Sequence, residues 1–288
     1  MTTIKVLTDS TCDLPPDYFR EYGIGVVPIS IRFGDRVYLE GVDLDRNAFY
    51  QKVNELGVLP KTSQPSVGEF AAAYRACAAQ GYDTLLSVHV ASTLSGTMNS
   101  ATLAAQEVAG EVKVIPYDSL SGSAAMGFMC VEAVRMARAG KSVSEIVTRL
   151  NEVRPRVRIA LTLATLRYAQ MSGRISNLQS LIASLLNIKP IICLHAGRLL
   201  ADERVRTRHA ALDRLLDMTR EAAGQAAVNL AVIHSQVREE AEQLLERAKQ
   251  SLNCAETFVG DIATSLAVHF GPGVIGTVVY PCAVREGE

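Results

Sequence analysis

Apolar and polar positions alternate along this chain in blocks with a recurring order. "IKVLTDS" (4–10) is a short apolar run that ends in hydroxyl and acid side chains, and "DLPPDYFREYG" (13–23) then reads as a helix closed by Gly23. "IGVVPISIRF" (24–33) reads as a second strand and "SVGEFAAAYRACAAQGYD" (66–83) as a helix stopped by Gly81. "TLLSVHVA" (84–91) is a strand, followed by a Ser/Gly/Thr loop and the Ala-rich helix "MNSATLAAQEVAG" (98–110). "EVKVIPYDS" (111–119) and "GSAAMGFMCVEAVRMARAG" (122–140) repeat the cycle. Strand, polar loop and helix in this order predict an α/β domain with a mainly parallel sheet, whose ligands bind in the loops at the carboxyl ends of the strands.

The pattern changes at "EVRPRVRIALTLATL" (152–166), where Pro155 interrupts a basic stretch and β-rich sequence follows. A boundary at about this point predicts two α/β domains, 1–155 and 156–288. The second half reads as helix "NLQSLIASLLN" (177–187), strand "KPIICLHAGRLL" (189–200) and an amphipathic helix from about Thr207 to Ala223. Strand "NLAVIHS" (229–235), helix "REEAEQLLERAKQSL" (238–252), strand "AETFVGDI" (255–262) and a last strand after Gly276 complete it. Leu178, Leu181, Ile182 and Leu185 share one helical face, which either packs into a core or lines an apolar tunnel.

Composition narrows the class. At 288 residues, 48% hydrophobic and 20% charged with a net charge of −1, the chain has the profile of a globular protein and lacks the basic excess of a nucleic-acid binder. No apolar run reaches the 18 or so residues of a membrane span, and Met-Thr-Thr leads directly into a strand, so the expected address is the cytoplasm. Six scattered cysteines without a C-x-x-C pair read as reduced, mostly core, residues rather than disulfides or metal ligands.

Several motifs can be weighed directly. Gly271, Gly273 and Gly276 have the G-x-G-x-x-G spacing, but a β-branched run follows them and only twelve residues remain, so the dinucleotide reading lacks its helix and its acidic partner. Gly122 and Gly127 have P-loop spacing, with Phe128 and Met129 where Lys and Ser/Thr are required. No Ser stands in G-x-S-x-G, and the five histidines form no H-x-x-x-H pattern, so no metal site is expected. Three loops concentrate hydroxyls and glycines: "TDSTCDLP" (8–15), "KTSQPS" (61–66) and "ASTLSGTMNSA" (91–101). Such residues cap helices and make turns, and they also bind anions at helix N-termini. Ser95 with His269 as its base leaves a hydrolase or small-molecule transferase open as an alternative.

Taken in order, "TDSTCDLP", "TSQPS", "STLSGTMNSA", "YDSLSGSAAMG", "LRYAQMSGRIS", "LNIKPIICLHAGRL" and "VHFGPGVIG" resemble the DegV family of bacterial fatty-acid-binding proteins over almost the full chain. The resemblance implies two α/β domains with a long-chain fatty acid such as palmitate between them. It implies no catalysis of the chain's own and no cofactor. The partner it implies is a separate fatty acid kinase, which phosphorylates the bound carboxylate to an acyl phosphate for phospholipid synthesis. Thr62, Ser95, the Gly96 N–H and His269 match the family's carboxylate-binding positions. Arg174 and Arg206 match positions at the portal or kinase contact, with Arg204 and Arg208 as close alternatives to Arg206. The sequence departs from the family at Ser172, where a second Gly is usual before "GRI", and at Cys12.

Overall fold

The computed structural model describes residues 3–176, 178 and 188–282 and shows an α/β protein. Its contacts divide it into two compact units. The first comprises Met1–Asn151, Ala196–Arg198 and Ile262–His269; the second comprises Glu152–His195, Leu199–Asp261 and Phe270–Glu288. The division is therefore discontinuous in sequence, because two short segments of the second half belong to the first unit.

The first unit is built on β1 (Ile4–Asp9), β2 (Gly25–Val27), β6 (Thr84–His89) and β7 (Lys113–Asp118), paired in the order β2-β1-β6-β7 with every pair parallel. Parallel strands need crossover helices, supplied by α1 (Pro16–Tyr22), α3 (Val67–Ala79) and α4 (Thr97–Glu107), and α5 (Ser123–Arg138) follows the last strand, β7. β6 is buried at every residue, as expected of a central strand covered on both faces. Leu7, Phe70, Tyr74, Leu85 and Ala104 form its packed interior.

One predicted strand divides in two. "IGVVPISIRF" breaks at Pro28, which has no N–H for a ladder. Its first part is β2. Its second part, β3 (Ser30–Phe33), joins a separate antiparallel sheet with β4 (Arg36–Leu39) and β5 (Lys61–Ser63). Helix α2 (Arg46–Leu56) lies between β4 and β5 in the chain.

In the second unit, helix α6 (Val143–Val153) having closed the first, the chain forms a seven-stranded mixed sheet. Its strands are β8 (Arg158–Thr162), β9 (Ile175–Ser176), β10 (Lys189–His195), β11 (Arg198–Val205), β12 (Val228–His234), β13 (Cys254–Asp261) and β14 (Ile275–Pro281). They pair in the order β13-β12-β14-β8-β10-β11-β9. "KPIICLHAGRLL" is thus not one strand but β10 and the start of β11, separated by a two-residue turn at Ala196 and Gly197 with φ of 47° and 82°. Helices α7 (Arg167–Ser172), α8 (Arg208–Ala223) and α9 (Arg238–Lys249) follow their strands, and Leu212, Leu215, Leu216, Leu244 and Leu245 pack on Ile191, Leu230, Val232 and Ile275. Of the apolar face expected at 178–185, Leu178 is buried; Leu181, Ile182 and Leu185 lie outside the described residues.

The stretch between β13 and β14 contains a seven-residue helix, α10 (Thr264–Phe270), that belongs to the first unit up to His269. The glycines after it complete a turn into β14: Gly271 and Gly273 both have φ of 77°, and a Cβ on Gly276 would lie 2.8 Å from the Ala160 carbonyl oxygen of β8. The order is helix, turn, strand, the reverse of a dinucleotide-binding unit. No helix among the described residues is long and apolar enough to cross a membrane.

Candidate functional site

The parallel sheet reverses direction between β1 and β6: from β1 the chain first adds β2 on one side and later β6 on the other. The crevice at the carboxyl ends of such a pair is where open α/β sheets bind ligands. The loops after β1, β6 and β7 lie together there, with Ala91 N bonded to Ser121 O (2.8 Å) and Ser123 N bonded to Thr11 O (3.0 Å). Leu120 and Ser123 take φ of 47° and 54°, strained values that these loop bonds hold in place.

Beneath the crevice lies a polar line that the sequence did not announce. Tyr74 Oη meets Ser87 Oγ (2.9 Å), Ser87 Oγ meets His89 Nε2 (2.7 Å), and His89 Nδ1 meets Asp9 Oδ2 (3.1 Å). Asp9 also accepts from Thr11 N (3.0 Å) and Val90 N (3.0 Å). Burial raises the Asp9 pKa, but the bonds from His89, Thr11 and Val90 outweigh it, so the carboxyl is held below its ordinary value. Ser, His and Asp stand here in relay order, yet all three side chains are fully buried and no substrate carbonyl can reach Ser87. The line instead ties the ends of β1 and β6 together. Its only sequence signal is that Asp9 and His89 are each the last, polar residue of an apolar strand.

Two of the expected carboxylate ligands are in direct contact. Thr62, on β5, places Oγ1 3.1 Å from Nε2 of His269 in the last turn of α10. Ser95 and Gly96 immediately precede α4, where Gly96 offers no side chain as N-cap and Ser95 Oγ accepts from Thr97 N (3.3 Å). They lie beside the same β5 loop, since a Cβ on Gly96 would come within 2.5 Å of the Gln64 amide nitrogen. Thr62, Ser95, Gly96 and His269 are all half-buried and belong to the first unit. The Thr62–His269 pair and the Ser95–Gly96 start of α4 thus flank the β5 loop, with hydroxyl, imidazole and helix N-terminal donors of a kind suited to an anion. Ser66 shows the other use of such residues: it forms a capping box with Glu69 at the start of α3.

Ser95 Oγ pairs with Thr97 Oγ1 (2.8 Å), and His269 Nε2 faces Thr62, which is not the Ser–His pair that the hydrolase alternative requires. Arg174 and Arg206 are exposed and lie in the second unit. The Arg174 guanidinium donates to Ser172 O (2.5 Å), and Ser172 Oγ donates to Ala169 O (3.1 Å), so the departure at Ser172 is absorbed by local bonds while the adjacent Gly173 takes the left-handed φ of 67°.

Helix α10 is held by two buried carboxylates that sequence reasoning missed. Glu40 accepts from Thr264 Oγ1 (2.5 Å) and Ser265 N (2.8 Å) through one oxygen, and from Ser10 Oγ and Ser265 Oγ (2.6 Å each) through the other. Asp13 accepts from Ala263 N (2.6 Å) and Ser123 Oγ (2.5 Å). Burial pushes the Asp13 pKa up to about 7 against the opposing pull of these two donors. A cavity of about 450 Å³, walled by Cys12, Leu14, Phe19 and Val26 with Glu40 and Arg46 at its polar edge, adjoins the first turn of α10.

Comparison with known proteins assigns the arrangement to a family. The family model described as "Uncharacterised protein, DegV family" matches residues 3–282. A "DegV domain-containing protein" of Deinococcus radiodurans is 35% identical over 280 residues, covering 97% of this chain and 99% of the relative. Among solved structures, DegV of Bacillus subtilis, described as a fatty acid binding protein, superposes with a TM-score of 0.90 at 31% identity, over 98% of this chain and all of that one. A DegV family protein of Thermus thermophilus, described by its fatty acid binding, gives a TM-score of 0.90 at 32% identity over 98% of this chain and 100% of its own.

Proposed function

Because the chain belongs to the DegV family, we propose that it binds a long-chain fatty acid such as palmitate at Thr62, Ser95, Gly96 and His269. In this reading it presents the acid's carboxylate to a separate kinase. The observation that carries the reading is the Thr62–His269 contact, which joins residues 207 apart in the chain and sits on β5, whose following loop lies against Gly96 at the start of α4.

The chemistry divides between tail and head. Burying a chain of about 16 carbons contributes on the order of 10 kcal/mol before the costs of association. The tail therefore sets affinity and the head sets orientation. Hydroxyl and amide donors hold a carboxylate less firmly than a bidentate Arg does, leaving an oxygen free to attack the γ-phosphorus of ATP on the kinase. The exposed Arg174 and Arg206 are then the portal or kinase-contact positions, and the acyl phosphate product feeds phospholipid synthesis in the cytoplasm.

Two measurements test this. Mass spectrometry of an organic extract of the purified chain is expected to yield a stoichiometric long-chain acid; an extract without one, together with esterase turnover abolished by Ser95→Ala, would establish the hydrolase alternative instead. In a reconstituted kinase assay, Ser95→Ala is expected to reduce phosphorylation about tenfold or more while the retained acid falls less, as for loss of a hydrogen bond that orients the reacting group. Equal retention and equal turnover in the variant would refute the role given to Ser95.

A further inference from the structure

The second unit carries a side-chain cluster that fatty-acid binding does not use. Cys193 and His195 stand two residues apart on β10 and so share one face of that strand. Asp202, on β11, approaches both: its Oδ2 is 2.5 Å from His195 Nε2, and its carboxylate lies beside the Cys193 thiol. One ligand atom from each of the three lies within 4.8 Å of the others. In a tetrahedral zinc site with bonds of about 2.0 to 2.3 Å, ligand atoms are about 3.5 Å apart, so small rotations of these side chains suffice.

Three further observations separate this cluster from an ordinary surface ion pair. Cys193 is only 5% exposed, so the group is anchored in the sheet rather than resting on it. The turn at Ala196 and Gly197, with positive φ at both residues, fixes β10 against β11 and pre-positions the three side chains. A cavity of about 290 Å³, lined among others by Cys193, His195, Thr219 and Thr277, opens beside them and gives room for water on a metal's remaining position. The nearby Arg214 is occupied by Glu203 (2.7 Å) and Glu221 (3.0 Å), which screens its charge from an incoming cation.

We propose that Cys193, His195 and Asp202 form a three-ligand site for a divalent metal of the zinc class. A mixed sulfur, nitrogen and oxygen donor set suits Zn²⁺, whereas Mg²⁺ and Ca²⁺ take oxygen ligands. Thiolate and carboxylate together neutralise the cation, and the site is independent of the fatty-acid head group.

The test uses the full chain, stripped with chelator and titrated with Co²⁺ and then Zn²⁺. One equivalent of Co²⁺ is expected to produce a thiolate-to-cobalt absorption band that Zn²⁺ removes. The band should vanish in Cys193→Ser and persist in Cys254→Ser and Cys282→Ser, which alter the two partly buried cysteines elsewhere. His195→Ala and Asp202→Asn should each weaken Zn²⁺ binding by at least about tenfold. Because Cys193 packs in the core and its variant can misfold, His195→Ala, at a half-exposed side chain, carries the test independently, with circular dichroism as the folding control. The proposal is overturned if the wild-type chain gives no band, if the band survives in Cys193→Ser, or if His195→Ala binds Zn²⁺ as tightly as the wild type.

Discussion

Asp13 shows what one buried carboxyl implies for pH dependence. Its ordinary pKa is 3.8 and its folded value is about 7, so the folded state holds this proton more tightly than the unfolded chain does. The stability it contributes is complete below its ordinary value and is lost as pH rises through 7. Every tenfold gain in proton affinity is worth about 1.4 kcal/mol, so the loss is on the order of a few kcal/mol. Asn at this position keeps an acceptor for Ala263 N and removes the titrating proton. Asp13→Asn is therefore expected to leave the melting temperature nearly unchanged near pH 4 and to raise it above that of the wild type near pH 8, measured by thermal denaturation across pH. An equal difference between the two proteins at both pH values would show that the proton is not the cause. Gly271 makes a separate point at the same scale: its φ is 77° and the Tyr168 ring fills the space a Cβ would take, so Gly271→Ala combines backbone strain with overpacking. It should cost at least about 2 kcal/mol in urea unfolding.

At the scale of elements, the chain announces what repeats and conceals what is short. The strand–loop–helix cycle of β1, β6 and β7 was legible because each element has an apolar pattern of its own, and the glycine stops at Gly23 and Gly81 mark their ends. Strands β4 and β5, with four and three residues, and α10, with seven, are too short for periodicity to show, and Pro28 divided what reads as a single strand. The hydroxyls of the site were legible as candidates, but their supports were not. Glu40 meets Thr264 across 224 residues and Asp13 meets Ala263 across 250, and no local signal records such pairings. These supports carry a prediction. Glu40→Ala leaves Ser265 N and three hydroxyls without their shared acceptor, which at about 1 to 3 kcal/mol for each buried unsatisfied group destabilises the fold by several kcal/mol. Because α10 carries His269, bound fatty acid should also fall, whereas the exposed Glu239→Ala should change neither quantity. Organic extraction and denaturant unfolding of both variants measure the two effects, and normal retention in a folded Glu40→Ala chain would separate α10 from the head-group site.

For the whole molecule, the order of the chain and the order of the structure are different. The composition change near residue 155 suggests a cut there, yet the first unit also takes residues 196–198 and 262–269. Gly197 packs against Thr93 and Ala91 just ahead of Ser95, and residues 262–269 supply Thr264 and Ser265 to Glu40, Ala263 N to Asp13, and His269. A fragment of residues 1–155 therefore retains Thr62 and Ser95 but loses the imidazole and leaves Glu40 with Ser10 and Asp13 with Ser123 in place of their fuller donor sets. It should melt at a lower temperature than the full chain. It should also retain less fatty acid than the full-length His269→Ala protein, because the fragment loses the support of α10 as well as the side chain. A 1–155 fragment that matches the full chain in both respects would show that the head-group site is complete within contiguous sequence, and the part assigned here to α10 would then have to be withdrawn.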